Sequence, residues 1–388
     1  MNAPSRTRYR VVIVGAGVIG LFTAWHLARA GVRDVLVVDR GFLSSGASGR
    51  NGGGVRQQWE TAATVRLARE SVAAYRRFGR DFGYNVWFRQ GGYLFLAETA
   101  LELARLRSVR GVVAGEGLPS VELDVASIPR YAPGLDLSRV AGATFLATDG
   151  TLYPFPVIWG LYESVRSMGV EVVLGVEVLS VRTDHGRVVG VQTSAGPVEA
   201  EWVVNAAGGW SADVSQRAGL TVPNAPSRHE ILATEPLKPF LDPMVVRVGD
   251  GLYFSQTMRG EIVGGLTLAH PPGTSAGMPS SVEFLGTMAR ALTGLVPRLR
   301  PMRVLRAWSG FYDDTPDGLP ILGEDPRLHG FVHANGFGGH GFMLAPAATA
   351  RVAGAVLGSP NDLDPRLFSP ARFLAPGRDA PVERLSLG

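Results

Sequence analysis

Gly15, Gly17 and Gly20 stand as G-x-G-x-x-G inside the stretch YRVVIVGAGVIGLFTAWHLARAG. That spacing suits a diphosphate. The first glycine permits a tight turn, the second lets backbone approach the phosphates, and the third lets a helix pack closely on a strand. The anion then rests on the helix N-terminus, where free N–H groups and the dipole favour negative charge. Asp39, nineteen residues after Gly20, can accept hydrogen bonds from a ribose diol and would repel a 2′-phosphate. These residues point to dinucleotide binding; by themselves they do not separate NAD from FAD. Two later segments are also chemically suggestive: RGFLSSGASGRNGGGVRQQW, residues 40–59, and FGGHGFM, residues 337–343. Taken alone, the first reads as a flexible serine- and glycine-rich loop and the second as a turn.

Other chemistries find less support. The chain has no cysteine, which excludes a disulfide, a thiolate metal site, a cysteine nucleophile and a flavin tethered through sulfur. A reducing cytoplasm suits such a chain, and a cytoplasmic location is expected. The seven histidines show no ligand-like spacing with acids, so no metal site is expected. Asp313, Asp314 and Asp317 lack the calcium-loop pattern, and the turn Thr315-Pro316-Asp317-Gly318 explains them better. No G-x-S-x-G elbow sits directly after a strand, so a serine triad is unsupported. Of the 38 basic residues only Lys238 is a lysine; the arginines are scattered and the net charge is +4, which disfavours nucleic acid as a partner.

Periodicity gives the elements that must carry these residues. The apolar run from Val11 to Trp25 follows Arg6, Arg8 and Arg10, as in a signal peptide or membrane anchor. Its fifteen residues fall short of the ~18 to 20 of a span, it soon reaches His26 and Arg29, and no small-residue cleavage site is suitably placed. It reads instead as a strand at 10–14, a glycine turn and a helix at 19–30, with a second strand at 34–39 completing a βαβ unit. Helical patterns follow at 62–82 and around 100–111. From 170 to 207, short β-branched runs separated by Asp184-His185-Gly186 and Ala195-Gly196-Pro197 read as a β-meander feeding a last buried strand at 203–206. Strands are expected at 230–234, 251–256 and 260–266. The polar, proline-rich tail from Pro360 is expected to lie over the surface. At 388 residues the chain suffices for one large or two moderate units.

Taken in order, the strand at 11–14 with GAGVIG, the acid at 39, SSGASGRNGGGVRQQW, VVNAAGGWS (203–211), RAWSGFYDDTPDGLPILG (306–323) and GFVHANGFGGHGFMLAPAA (330–348) resemble the FAD-dependent D-amino-acid oxidase, glycine oxidase and sarcosine oxidase family. The likeness extends over about residues 10–357 and is greatest to sarcosine oxidase β-subunits and related amino-acid dehydrogenases. It implies an α/β (α+β) fold: a Rossmann-like FAD-binding domain of the glutathione-reductase type, discontinuous over 1–85, 145–220 and 305–388. A mixed or antiparallel-sheet substrate domain would be inserted from 86–144 and 221–304.

The resemblance also implies roles. Gly15, Gly17, Val18, Ile19 and Gly20 would hold the diphosphate, and Asp39 and Arg40 the adenosine end. Ala47, Ser48, Asn51, Gly52 and Gly53 would line the pyrophosphate and flavin. Val178 would meet the adenine through its backbone, and Ala207 and Gly208 follow the strand that returns to the nucleotide sheet. Gly338, Gly339, Gly341, Phe342 and Met343 would bring a helix start to the flavin N1 and C2 carbonyl, where negative charge accumulates on reduction. Arg56 matches a substrate-carboxylate arginine, a role for which the two-pronged guanidinium is suited, the alternative being a surface ion pair. Tyr253 and Tyr312 either close the pocket, by hydrogen bond or as an aromatic wall, or are simple packing, and His340 either neighbours the flavin edge or only caps the helix.

Some positions depart from the family pattern. Tyr312 stands where glycine oxidases place an arginine, and Met343 where monomeric sarcosine oxidases have a lysine. Gly310 replaces the cysteine that tethers their flavin, so the FAD is expected to be noncovalent. The stretch around Val263 and Gly264 lacks their oxygen-activating lysine, which tilts expectation toward a dehydrogenase or a poor oxidase. The expected reaction is oxidation of the C–N bond of a small amino acid or amine, such as sarcosine, glycine or proline. Hydride passes to flavin N5, leaving an imine that water hydrolyses, and O2 or another acceptor takes the electrons. An NAD-linked dehydrogenase is disfavoured by the second glycine cluster. The alternative of another class is a flavoprotein subunit serving structure or electron transfer in a hetero-oligomeric amine dehydrogenase complex, with partner subunits.

Overall fold

Uninterrupted apolar strands such as VVIV and VLVV suit a parallel sheet covered on both faces, and they lie at the centre of one. The computed structural model describes residues 3–268, 273–274, 277–359, 362–374 and 382–383. In chain order the strands are β1 (Arg8–Val14), β2 (Val35–Asp39), β3 (Gly54–Val55), β4 (Tyr93–Ala97), β5 (Val121–Leu123), β6 (Gly142–Leu146), β7 (Gly150–Thr151), β8 (Glu171–Leu174), β9 (Val178–Asp184), β10 (Arg187–Thr193), β11 (Gly196–Asn205), β12 (Ala225–Thr234), β13 (Met244–Arg247), β14 (Leu252–Gln256), β15 (Ile262–Leu266), β16 (Val304–Asp314), β17 (Ile321–Glu324) and β18 (Phe331–Asn335). The helices are α1 (Val18–Arg29), α2 (Ala62–Phe82), α3 (Ala100–Gly115), α4 (Pro154–Ser167), α5 (Ser211–Gln216), α6 (Val282–Leu295), α7 (Gly341–Leu357) and α8 (Pro365–Phe368).

The first sheet runs β17-β18-β11-β1-β2-β8, with β9 and β10 attached beside β11. Strands β18, β11, β1, β2 and β8 are parallel, so their C-terminal ends share one edge. Helices α1 and α7 pack on one another and on this sheet. The meander differs from its expected form in two ways. Strand β8 leaves it to pair with β2 at the far edge. The last two expected strands are one, β11, whose start pairs antiparallel with β10 while its length pairs parallel with β1. One strand can serve both because its two edges face different neighbours.

The second sheet runs β16-β12-β15-β14-β13-β4-β6-β5 and is antiparallel except where β13 meets β4. One face packs on α6 through Leu94, Phe254, Ile262, Phe284 and Met288; the other turns toward the first sheet. The boundary expected at residue 305 falls inside β16. All eleven residues of that strand belong to the second sheet, pairing along β12 in register His229 with Gly310 and Ser227 with Tyr312. The ladder holds the chain there until Asp314. Residues 145 and 146 likewise end β6, in the second sheet. The tail is not only superficial: Phe368 is fully buried and Arg372 donates Nε to Asp317 Oδ2 at 2.7 Å. Residues 360–361, 375–381 and 384–388, on which part of that expectation falls, lie outside the described residues. Among the described residues, no helix is long and apolar enough to cross a membrane, and no cluster of acids and histidines could hold a metal.

Candidate functional site

The parallel strand ends and the open face of the second sheet enclose a cavity of about 380 Å³. At its first end β1 turns into α1. Gly15 has φ +112°, and a Cβ there would stand 2.4 Å from Ala206 O, so only glycine fits. Ala16 N–H donates to Asp39 Oδ2 and Gly41 N–H to Asp39 Oδ1, each at 2.8 Å. One carboxylate thus fixes both the turn after β1 and the turn after β2. Carboxylate oxygens accept more than one bond, which leaves capacity for a diol. Ser48 Oγ accepts the Val18 N–H at 2.9 Å, joining the loop to the start of α1. Arg40 lies over the Trp210 ring at 4.4 Å, and Arg217 pairs with Glu177 beside Val178.

At the second end, α7 begins after Gly338-Gly339-His340. The first N–H groups of a helix have no intrahelical acceptor and carry partial positive charge. Gly341, Phe342 and Met343 line the cavity, so this second helix start opens onto the space that α1 opens onto. A Cβ on Gly339 would meet the Tyr312 ring at 2.5 Å; the bare glycine lets that ring lie on the turn. Gly338 is held by its N–H to Asp313 O, at 2.8 Å. Asp313 itself is buried among donors from Gly336, Asn224 and Ser211, and burial pushes its carboxyl up to about 6.

The wall between these ends is the second sheet. Tyr312 on β16, His229 on β12 and Tyr253 on β14 stack in a row, with ring centroids 4.5 and 5.6 Å apart and planes within 11° and 18°. Tyr253 and Tyr312 hydrogen-bond each other, and burial raises both phenols, which stay protonated at neutral pH. Gly265 on β15 makes the row possible, since a Cβ there would press within 3.0 Å of both His229 Nε2 and Tyr253 Oη. Gly52 approaches from the loop side, 3.5 Å (from its ideal Cβ) from Ile231 and Tyr253.

Of the residues singled out in the sequence, Gly15, Gly17, Val18, Ile19, Asp39, Arg40, Ala47, Ser48, Asn51, Gly52, Gly53, Val178, Ala207, Gly208, Tyr253, Gly310, Tyr312, Gly338, Gly339, Gly341, Phe342 and Met343 all line this cavity. Three do not. Gly20 packs underneath, where a Cβ would overlap Gly15 O. Arg56 is 0% exposed and outside the lining, with Nη1 donating to Gln58 O at 2.8 Å and Nη2 within 3.2 Å of His340 Nε2. His340 is buried with it, its ring turned from the cavity toward Arg56 and Trp59. The expected carboxylate contact of Arg56 and flavin-edge position of His340 therefore do not match these placements. Asp313, Asp314 and Asp317 diverge to Asn224, Ser227 and Arg372 respectively.

His229 and Arg50, to which the sequence assigns no role, also line the cavity. Strand alternation was the available signal for His229, because it puts the residue on one face with Ile231, and both line the cavity. Arg50 also lines it, beside Gly310, with Nε donating to Ser45 O and Nη1 to Ser309 O. Two helix N-termini facing one elongated cavity, glycines that a Cβ would crowd, and an acid at the end of β2 fit FAD.

The family model described as DAO, FAD dependent oxidoreductase, matches residues 10–355. The chain is similar to sarcosine oxidase subunit beta of Rhodobacter capsulatus, 31% identical over 352 residues, covering 88% of this chain and 83% of that one. It is also similar to glycine oxidase of Geobacillus kaustophilus, 29% identical over 374 residues, covering 95% and 98%. The crystal structure of L-proline dehydrogenase from P. horikoshii superposes with a TM-score of 0.89 at 30% identity, over 95% of this chain and 98% of that one.

Proposed function

Since the chain belongs to the DAO family of FAD-dependent oxidoreductases, we propose that it oxidises the C–N bond of a small amino acid, a secondary amine such as sarcosine or proline being favoured. FAD, when bound, supplies the two-electron step, taking hydride from the carbon beside nitrogen and leaving an imine that water hydrolyses. The residues of this chain supply the rest. Gly15, Gly17 and the start of α1 hold the diphosphate, and Asp39 the ribose. The N–H groups that open α7 favour the negative charge that builds up on reduction. The observation that carries the reading is the convergence of α1, α7 and the Tyr312-His229-Tyr253 row on one cavity.

That row offers flat walls and hydroxyl groups to a small substrate, and the mainly apolar lining favours the neutral amine. Arg50, the guanidinium on the wall beside Gly310, takes the carboxylate. The one lysine, Lys238, is exposed and outside the cavity, so no ammonium group stands ready for oxygen; reoxidation by air is slow and another acceptor serves. Anaerobic addition of sarcosine, glycine, proline and D- and L-amino acids to the yellow protein tests this. Bleaching of flavin absorbance by a secondary amino acid is expected, and bleaching by none of them would sink the reading.

A second reading, that the chain works inside a larger assembly, is favoured by exposed aromatic side chains. Phe155 and Trp159 lie one turn apart on α4, 49% and 47% exposed, and Trp87, 46% exposed, meets the Tyr153 ring just before that helix, with centroids 5.5 Å apart. Large apolar groups gathered at a surface suit a protein interface. Sedimentation of the pure chain decides it, a monomer with full turnover being the adverse result.

A further inference from the structure

Arg56 was expected to meet a substrate, and the structure gives it another occupation. It follows the glycine loop but turns inward, where its guanidinium lies 4.0 Å over the Trp59 ring while Trp59 Nε1 donates to Arg56 O. The Trp59 ring in turn meets His340 edge to face, with centroids 4.7 Å apart. His340 completes the cluster with its Nε2 at 3.2 Å from Arg56 Nη2. A guanidinium can only donate, so His340 Nε2 is the acceptor and the ring proton sits on Nδ1. Burial, and then the Arg56 charge, hold the ring well below its ordinary value, consistent with a neutral imidazole.

His340 is also the residue on which α7 is founded: its carbonyl accepts the N–H groups of Met343 and Leu344, at 3.0 and 3.2 Å. The next three residues line the cavity. A permanent cation is thus joined, through one ring, to the back of a helix start whose front faces the cofactor site.

We infer that Arg56 is a positioning residue for the flavin: it locks the His340 ring and places a buried positive charge behind the α7 N-terminus, and it does not bind substrate. In a low-dielectric interior such a charge adds to the helix dipole at that end. It therefore favours the reduced, more negative form of the cofactor. The inference rests on the FAD reading of the site.

The test compares Arg56→Gln, Arg56→Lys and Arg50→Met with the wild-type holoprotein. Sulfite, whose flavin adduct leaves negative charge on the ring, should bind Arg56→Gln at least tenfold more weakly, with a lower flavin midpoint potential. The KM for the amino acid should stay within twofold. Arg56→Lys, which keeps the charge, should recover most of the sulfite affinity. Arg50→Met should show the opposite pattern, a raised KM with sulfite binding little changed. Unchanged sulfite affinity in Arg56→Gln, or a KM that rises tenfold, overturns the inference, as does a lysine variant no better than the glutamine one. Should Arg56→Gln fail to fold, ¹⁵N NMR of the wild-type histidine rings decides: Nδ1–H at His340 is required, and Nε2–H refutes it. Protein that takes up no FAD refutes the underlying reading, whereas a yellow protein with an unmoved potential refutes this inference alone.

Discussion

A single methyl group at residue 339 measures how closely the second sheet and α7 meet. The Tyr312 ring that a Cβ would strike at 2.5 Å cannot swing aside freely, because its other face is stacked on His229 at 4.5 Å. Gly339→Ala must move either the ring or the turn. Crowding of this kind costs about 1–3 kcal/mol, and here it falls on the wall of the cofactor site. FAD affinity of the apoprotein, read from quenching of flavin fluorescence, is expected to fall roughly tenfold or more. An alanine variant with wild-type affinity would show that the turn and the ring are not jointly fixed. The glycines themselves were legible from spacing. The aromatic row was only half legible: Tyr253 falls on the expected strand 251–256 and Tyr312 in a segment that resembles the family, while His229 becomes visible only once β12 has a register.

Helix α7 contains Pro346, which in a helix interior usually costs about 3 kcal/mol and leaves the carbonyl four residues back without its N–H. Here that carbonyl belongs to Phe342, and Tyr75 from α2 donates its hydroxyl to it. Ser71 Oγ donates to Leu344 O and accepts from Ala347 N, both at 3.2 Å, and His26 Nε2 lies 2.9 Å from Pro346 O. Two neighbouring helices thus repair the break, and the part repaired is the turn that faces the cofactor. Tyr75→Phe should destabilise the protein by about 1–3 kcal/mol, the cost of a buried carbonyl left without a donor. In a Pro346→Ala background, where the backbone N–H gained at that position can serve Phe342 O, the same change should cost markedly less. Denaturant titrations of the four proteins check this coupling, and equal costs in both backgrounds would refute it. Helix α2 was legible from its helical pattern, with the observed bounds at 62 and 82. Helix α4 was not, since Pro154 and Pro156 look like turn residues until they are seen in the first helical turn. Strands β4 to β6 were missed as well: their pairing is with β13 and with each other, a partnership that local sequence does not encode.

Across the whole molecule, the C-terminal segment returns to the interior at Glu383, whose Oε1 accepts the Glu60 N–H at 2.7 Å. Burial pushes this carboxyl up to about 7 from its ordinary 4.5. Below pH 4.5 folded and unfolded chains both hold the proton. Between there and about 7 only the folded chain does, so stability falls as pH rises through that window, by up to about 3 kcal/mol from this group. Asp149, pushed up to about 7 by burial, acts in the same sense. Glu383→Gln keeps the acceptor and removes the titration, so its loss of stability from pH 5 to 8 should be smaller than that of the wild type. Denaturation midpoints at the two pH values provide the check; parallel slopes would exclude a buried Glu383.

The first sheet places β1, β11 and β18 side by side although they come from residues 8–14, 196–205 and 331–335. A ribosome has therefore made most of the polypeptide before the flank of β11 that β18 will cover has any partner. Until then that flank is an unpaired edge, a template for other half-made copies. The cofactor site is consequently completed only once residues 331–343 have been made, long after its first glycines, so half-made chains are expected to bind the prosthetic group weakly.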